Sequence, residues 1–425
     1  MPSFSMPVRL LADTRPLREL PAYRRLWIGS TISSAGGAMT AFAVALQVFR
    51  ITHSPAAVGA IGLFLAVPTI VVGLVGGTVA DAVDRRRLVL VTSSGLATVS
   101  VLFAVQAFAG AQQVWLLYVL VGLESLLASV DGPARRALTP RIVTAERLPA
   151  AMALNQLSFQ VVMVVGPALA GLVVATAGLR WCYAIDAVSF AAALYGVARL
   201  PALPPLEDIG RPGLAAVVEG IRYIGHNQVL VGAFLADLVA MVLAMPFALL
   251  PAVNADRFGG HAATLGLLAA APGVGGLVGS TLSGPLGHVA RRGRAMLVAV
   301  AVWGAAVTVF GLAGGLAVTL AALAVAGAAD TTSVVLRATL VQQITPDRYR
   351  GRVTAADYVV GAGGPQLGNL RAGVVGSLTS PAFSATVGGI AAMLGAGVIA
   401  LAVPALARHR IEPADGPITE PPGGA

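Results

Sequence analysis

The sequence holds no lysine: all 28 of its basic residues are arginine. A phosphate-binding loop of the GxxxxGK[ST] type, a Schiff-base lysine and a catalytic lysine are therefore excluded, and with them an ATP-driven pump on this chain. Cysteine is nearly as scarce. Cys182 stands alone in an apolar stretch, so there is no disulfide framework and no CxxC metal site, and the thiol reads as a core residue. The five histidines, His53, His226, His261, His288 and His409, fall in loops or tails without ligand spacing. No metal site and no cofactor is implied. Charged residues make up only 11% of the chain, against roughly 25% in a soluble domain, which leaves too little polar surface to coat a folded body in water. A water-soluble enzyme is excluded. The lack of any clustered His, Cys or Ser constellation argues equally against an enzyme embedded in the membrane.

What is abundant is apolar surface, with 57% hydrophobic residues and 50 glycines. A helix crossing a ~30 Å hydrocarbon core needs roughly 20 mostly apolar residues. Twelve such segments emerge: residues 26–49, 56–80, 88–110, 114–130, 150–178, 181–200, 228–252, 264–287, 295–315, 317–336, 354–379 and 383–407. The expected fold is an all-α polytopic membrane protein of twelve transmembrane helices. Arginine in short loops stays on the cytoplasmic side during insertion, and nearly every arginine falls on one side of this plan. That side holds the N-terminal tail, the Arg85–Arg87 and Arg135–Arg147 loops, the central loop, the Arg291–Arg294 and Arg337–Arg352 loops, and the C-terminal tail. Only Arg50, Arg180 and Arg257 take the other side, while Arg371 sits inside a span. Both termini are therefore expected in the cytoplasm of a bacterial-type membrane, with the first span doing the targeting and no cleaved signal peptide. The net charge of +9 is topological and implies no nucleic-acid partner.

Residues 201–227 are the longest polar interruption and divide the chain into a tail (1–25), a six-helix half (26–200), a linker (201–227), a second six-helix half (228–407) and a C-terminal tail (408–425). A repeat supports the division. Asp84-Arg85-Arg86-Arg87 after the second span is matched after the eighth by Arg291-Arg292-Gly293-Arg294, so the halves run parallel and place a substrate site between them near the midplane. These tight basic loops resemble the signature of the major facilitator superfamily, a resemblance that covers nearly the whole chain. The family's loop is matched by Gly77, Asp81, Arg85, Arg86 and Arg87, with Ala82 in place of its first Arg and Asp84 in place of its Gly. That form is similar to the superfamily's siderophore and macrolide exporter branch. In physical terms, Asp81 against cationic neighbours is an ion pair that latches one conformation; the plainer reading of the Arg run is positive-inside charge alone. Gly166-Pro167-Ala168-Leu169-Ala170-Gly171 resembles the stretch associated with antiporters, with Ala170 for the first terminal Gly. Here Pro167 breaks a backbone bond while Gly166 and Gly171 let a neighbouring helix approach.

A charge near the bilayer centre is costly, so each one there is a functional candidate. Glu124, Asp186, Asp237 and Arg371 lie inside spans; Asp131, Asp330 and Asp357 lie nearer the cytoplasmic ends. No basic residue shares the interior of the Glu124 helix, which makes it the candidate to exchange a proton for a cationic or amphipathic cargo. Asp186 and Asp237 read equally as functional or structural. Arg371 reads as a structural pair, with an anionic substrate group as the alternative. The implied activity is proton-coupled export of small amphipathic drug-like or siderophore-like compounds by a monomer working through alternating access. The competing activities are a lysophospholipid flippase and a proton-independent facilitator.

Overall fold

The computed structural model describes residues 13–75, 84–201, 214–281 and 289–409, and the described secondary structure is entirely helical. The helices are α1 (Arg15–Glu19), α2 (Pro21–Thr52), α3 (Pro55–Val75), α4 (Arg85–Phe108), α5 (Val114–Ile142), α6 (Leu148–Thr176), α7 (Leu179–Ala198), α8 (Leu214–Gly225), α9 (Gln228–Ala244), α10 (Leu250–Phe258), α11 (Ala262–Thr281), α12 (Arg292–Leu312), α13 (Leu316–Ile344), α14 (Asp347–Leu378), α15 (Pro381–Ala402) and α16 (Pro404–Arg408). Eleven described stretches are long and apolar enough to cross a membrane, with Gln228–Phe258 counted as one. The remaining expected span lies in α14, which is 32 residues long and carries Arg352, Asp357 and Arg371.

Local chemistry sets the boundaries. Proline opens α2, α3, α15 and α16, where its missing N–H is unneeded. Asp84, Asn227 and Ser380 cap α4, α9 and α15 with side-chain oxygens, each satisfying an orphan backbone donor. The seventh span departs most from expectation. Instead of one helix over 228–252 it stops at Ala244, passes through Met245-Pro246 and a short 3-10 turn (Phe247–Leu249), and resumes as α10. Pro246 has no N–H to give the carbonyl of Val242, one turn back. Arg371 replaces it, donating through Nε to Val242 O (3.2 Å) and through Nη2 to Leu243 O (2.5 Å). Arg371 thus has no acid partner among the described residues and does not line the main cavity; it caps the break.

Two other expectations change. Helices α5 and α13 run on well past their apolar stretches, to Ile142 and Ile344, so Arg135 and Arg337 sit in helices rather than loops. The linker is also not all irregular. Helix α8 buries Val217, Gly220 and Ile224 along one face and lies against the start of α14, where Tyr223 stacks on Tyr349 at 4.4 Å and Glu219 pairs with Arg352.

Packing follows the order of the chain. Helices α2 to α7 pack on one another, as do α9 and α11 to α15, and the two sets meet along α3–α14 and α6–α11. Both seams depend on glycine. A Cβ added at Gly62 would lie 2.7 Å from the Gln366 carbonyl, and one at Gly171 would lie 2.7 Å from Ala262 O and 2.8 Å from Gly266 Cα.

Candidate functional site

Between the two seams lies a cavity of about 510 Å³, built from α2, α3, α5, the 3-10 turn and α14. Its walls are mostly apolar, from Ala41, Val44, Gly62 and Phe247, and its polar groups are few: Glu124, Thr69, Ser125, Ser129, Tyr358, Gln366 and Asn369. Such a composition, an apolar hollow with a small set of placed polar groups, is that of a small-molecule site.

Each polar group is set by its helix. Thr69 on α3 and Ser125 on α5 approach to 3.0 Å, Ser125 donates to Leu65 O at 2.7 Å, and Ser129 donates to Thr69 Oγ1 at 3.2 Å. Three hydroxyls thus seam the two helices beside Glu124. Asn369 accepts from the Ala248 N–H at 3.2 Å, which ties α14 to the backbone just beyond the break in the seventh span. Glu124 itself forms no hydrogen bond or ion pair among the described residues. Its carboxyl faces the cavity, within electrostatic range of Asp186 and Tyr183.

The other charged candidates lie elsewhere. Asp186 is 0% exposed and packs inside the first set of helices. Its Oδ2 accepts from Thr40 (2.8 Å) and Ser100 (2.6 Å), and its Oδ1 has no partner. Asp237 is buried in the second set, 3.5 Å from Arg337 Nε, and Arg337 also pairs with Asp357. Asp131 accepts from Thr92 (2.7 Å) and Ser93 (3.0 Å) and pairs with Arg135 at 2.9 Å. Among the described residues, Glu124 is the one intramembrane acid that the structure brings to the cavity. The pairing of Asp131 with Arg135 was readable as an i,i+4 spacing, the geometry that puts two side chains on one helix face. The hydroxyl seam of Thr69, Ser125 and Ser129 carried no comparable signal, because Ser and Thr are common in membrane helices.

The loop residues divide similarly. Gly77 and Asp81 lie outside the described residues. Asp84, standing where the resembled loop has glycine, caps α4 by accepting from Arg87 N–H at 2.9 Å, while Arg86 donates to Ala198 O at the end of α7 (2.7 Å). In the matching loop Arg292 donates to Gln343 at 2.5 Å, and Arg291 and Arg294 are exposed. Gly166, Pro167 and Gly171 all sit on close approaches. A Cβ at Gly166 would meet Ala38 at 2.5 Å, and the Pro167 carbonyl lies against Gly266.

A model of the family described as transmembrane secretion effector matches residues 12–420. The enterobactin exporter EntS of Escherichia coli strain K12 is 30% identical over 395 residues, covering 92% of this chain and 94% of that protein. Among solved structures, the nucleoside transporter NupG superposes with a TM-score of 0.70 at 14% identity, covering 92% of this chain and all of that one. A bacterial homologue of the iron transporter ferroportin does so with 0.68 at 17%, covering 89% and 98%. At such identities the structures speak for the fold alone.

Proposed function

The chain belongs to the transmembrane secretion effector family of the major facilitator superfamily, a membrane transporter, and on that premise we propose that it is a proton-coupled exporter of small amphipathic compounds. The observation that carries this reading is Glu124, a carboxyl without a salt-bridge partner facing a largely apolar cavity between two sets of six spans. An amphipathic guest fits such a hollow through its apolar body, and a carboxyl that binds either a proton or the guest's polar end makes the two loads exclusive. Exclusive occupancy is what antiport requires. The cargo class we favour is siderophore-like, because the relative of 30% identity is an enterobactin exporter.

Alternating access would proceed by rocking of the two halves about the cavity, which puts the glycine seams of α3–α14 and α6–α11 at the moving joint. Asp81 with Arg85–Arg87 would latch the cytoplasmic face in one state. On this reading the arginine-rich side, with both termini, faces the cytoplasm of a bacterial inner membrane, and the monomer is the working unit.

The test uses inside-out vesicles with an acidified lumen. Candidate siderophores and cationic drugs are added and lumenal proton release is followed. Release by a subset of compounds, lost in Glu124→Gln with expression and folding intact, is the expected result. Undiminished coupling in Glu124→Gln would remove Glu124 from the mechanism. No release from any compound, in protein shown to be folded, would favour lysophospholipid movement or a proton-independent facilitator.

A further inference from the structure

We propose that the cleft between α12 and α15, at the end of the molecule where the chain begins and ends, is a binding site for an anionic phospholipid of that leaflet. The two helices touch backbone to backbone at Gly304 and Gly389, where a Cβ on either would lie 2.6 Å or less from the other's carbonyl oxygen. Beyond that contact, toward the tails, a cleft of about 750 Å³ lies between them. Its walls are apolar, from Val298, Ala301, Met393 and Ala400, and its rim carries three guanidiniums, Arg291, Arg294 and Arg408. Arg408 reaches the rim because α16 folds back on α12. Gly293 rests on the Leu406 carbonyl, and the Leu406 side chain is 0% exposed.

Two features point to a lipid rather than to topology alone. First, the cleft sets three guanidiniums on one rim, and none of Arg291, Arg294 and Arg408 has a carboxylate partner among the described residues, whereas Arg135 is held by Asp131, Arg147 by Glu19 and Arg352 by Glu219. Second, the cleft joins the lipid-facing surface. Leu394, Val398 and Leu401 on α15 are 65%, 62% and 85% exposed. A phosphodiester on the rim would accept from guanidinium forks, and its acyl chains would lie on the apolar walls. Basic pockets between helices at the cytoplasmic surface recognise anionic headgroups in this way. A zwitterionic headgroup would set its ammonium against three guanidiniums, and a free phosphate would leave the apolar walls unused.

The experiment takes the purified full-length chain in neutral detergent and titrates it with phosphatidylglycerol, phosphatidylcholine or glycerol phosphate, reading bound lipid by native mass spectrometry and the melting temperature in parallel. Phosphatidylglycerol should bind and raise the melting temperature, and the other two should do neither. Each arginine near the surface should contribute about fivefold in affinity, so R291Q/R294Q/R408Q should weaken phosphatidylglycerol by about a hundredfold. If the triple variant melts early without lipid, Arg408→Gln alone should give the fivefold loss. Gly397→Leu tests the walls with all charges kept. Gly397 lines the cleft and has nothing within 4 Å of an added Cβ, so the variant should fold normally and lose the lipid. Equal binding of phosphatidylcholine, wild-type affinity in the charge variants, or undiminished binding in Gly397→Leu would each overturn the site. Equal binding of glycerol phosphate would show an anion site in place of a lipid site.

Discussion

The acids inside the spans differ in what surrounds them, and those surroundings decide what a substitution does. Asp237 shares Arg337 with Asp357, and Arg337 is only 8% exposed. Removing the arginine leaves the buried Asp237 carboxylate without its partner, a change that costs about 3–5 kcal/mol when one partner of a buried pair is deleted. Arg337→Leu should therefore lower the melting temperature sharply, and Asp237→Leu added to it should recover part of the loss. A double variant no more stable than the single would mean that the ion pair contributes nothing. Glu124 was legible from the sequence because no basic residue shares its helix interior. Arg337 was not, since counting arginines by loop assigns it to the cytoplasmic surface, and only the continuation of α13 to Ile344 brings it inside. Arg371 was legible as lying inside a span but not in its role. Its partners are carbonyls freed by Pro246, far away in sequence, and no pattern in α14 announces them.

Among the helices, α6 meets the second set through a contact with no room for a side chain, since Gly171 lies against Ala262 and Gly266 of α11. Overpacking of this kind typically costs about 1–3 kcal/mol. Gly171→Leu should bias the molecule toward a state with α6 and α11 apart, a shift of about five- to 150-fold in population. The readout is a cysteine at Ala41, which lines the cavity, labelled by a membrane-impermeant maleimide from the side remote from the tails; the native Cys182 is 0% exposed and stays silent. The labelling rate should rise by that factor in protein that still folds. An unchanged rate would show that this seam does not close the path. At this scale the sequence singled out Gly166, Pro167 and Gly171, which sit on close approaches, but not the break that Pro246 makes in the seventh span. It did not predict the extended ends of α5 and α13, whose polar turns are held by ion pairs such as Asp131 with Arg135 rather than by apolar periodicity.

For the molecule as a whole, apolar runs of bilayer length were legible without any structure, and the arginine distribution predicts their orientation. A fluorescent protein fused after residue 425 should therefore fluoresce while alkaline phosphatase at the same point stays inactive, and phosphatase fused after His261 should be active. The reverse pattern would invert the transporter. Helix α8 was not legible, being too short to stand out within a polar linker. Its attachment bears on how far the halves can travel. With Tyr223 stacked on Tyr349 and Glu219 paired to Arg352, α8 moves with the second set of helices, and the tether between the sets shortens to residues 201–213, at most about 45 Å of fully extended chain. If the halves rock as proposed, that length of chain bounds how far they can part at this end, and an insertion after Pro201 should change the largest opening without touching a residue that lines the cavity.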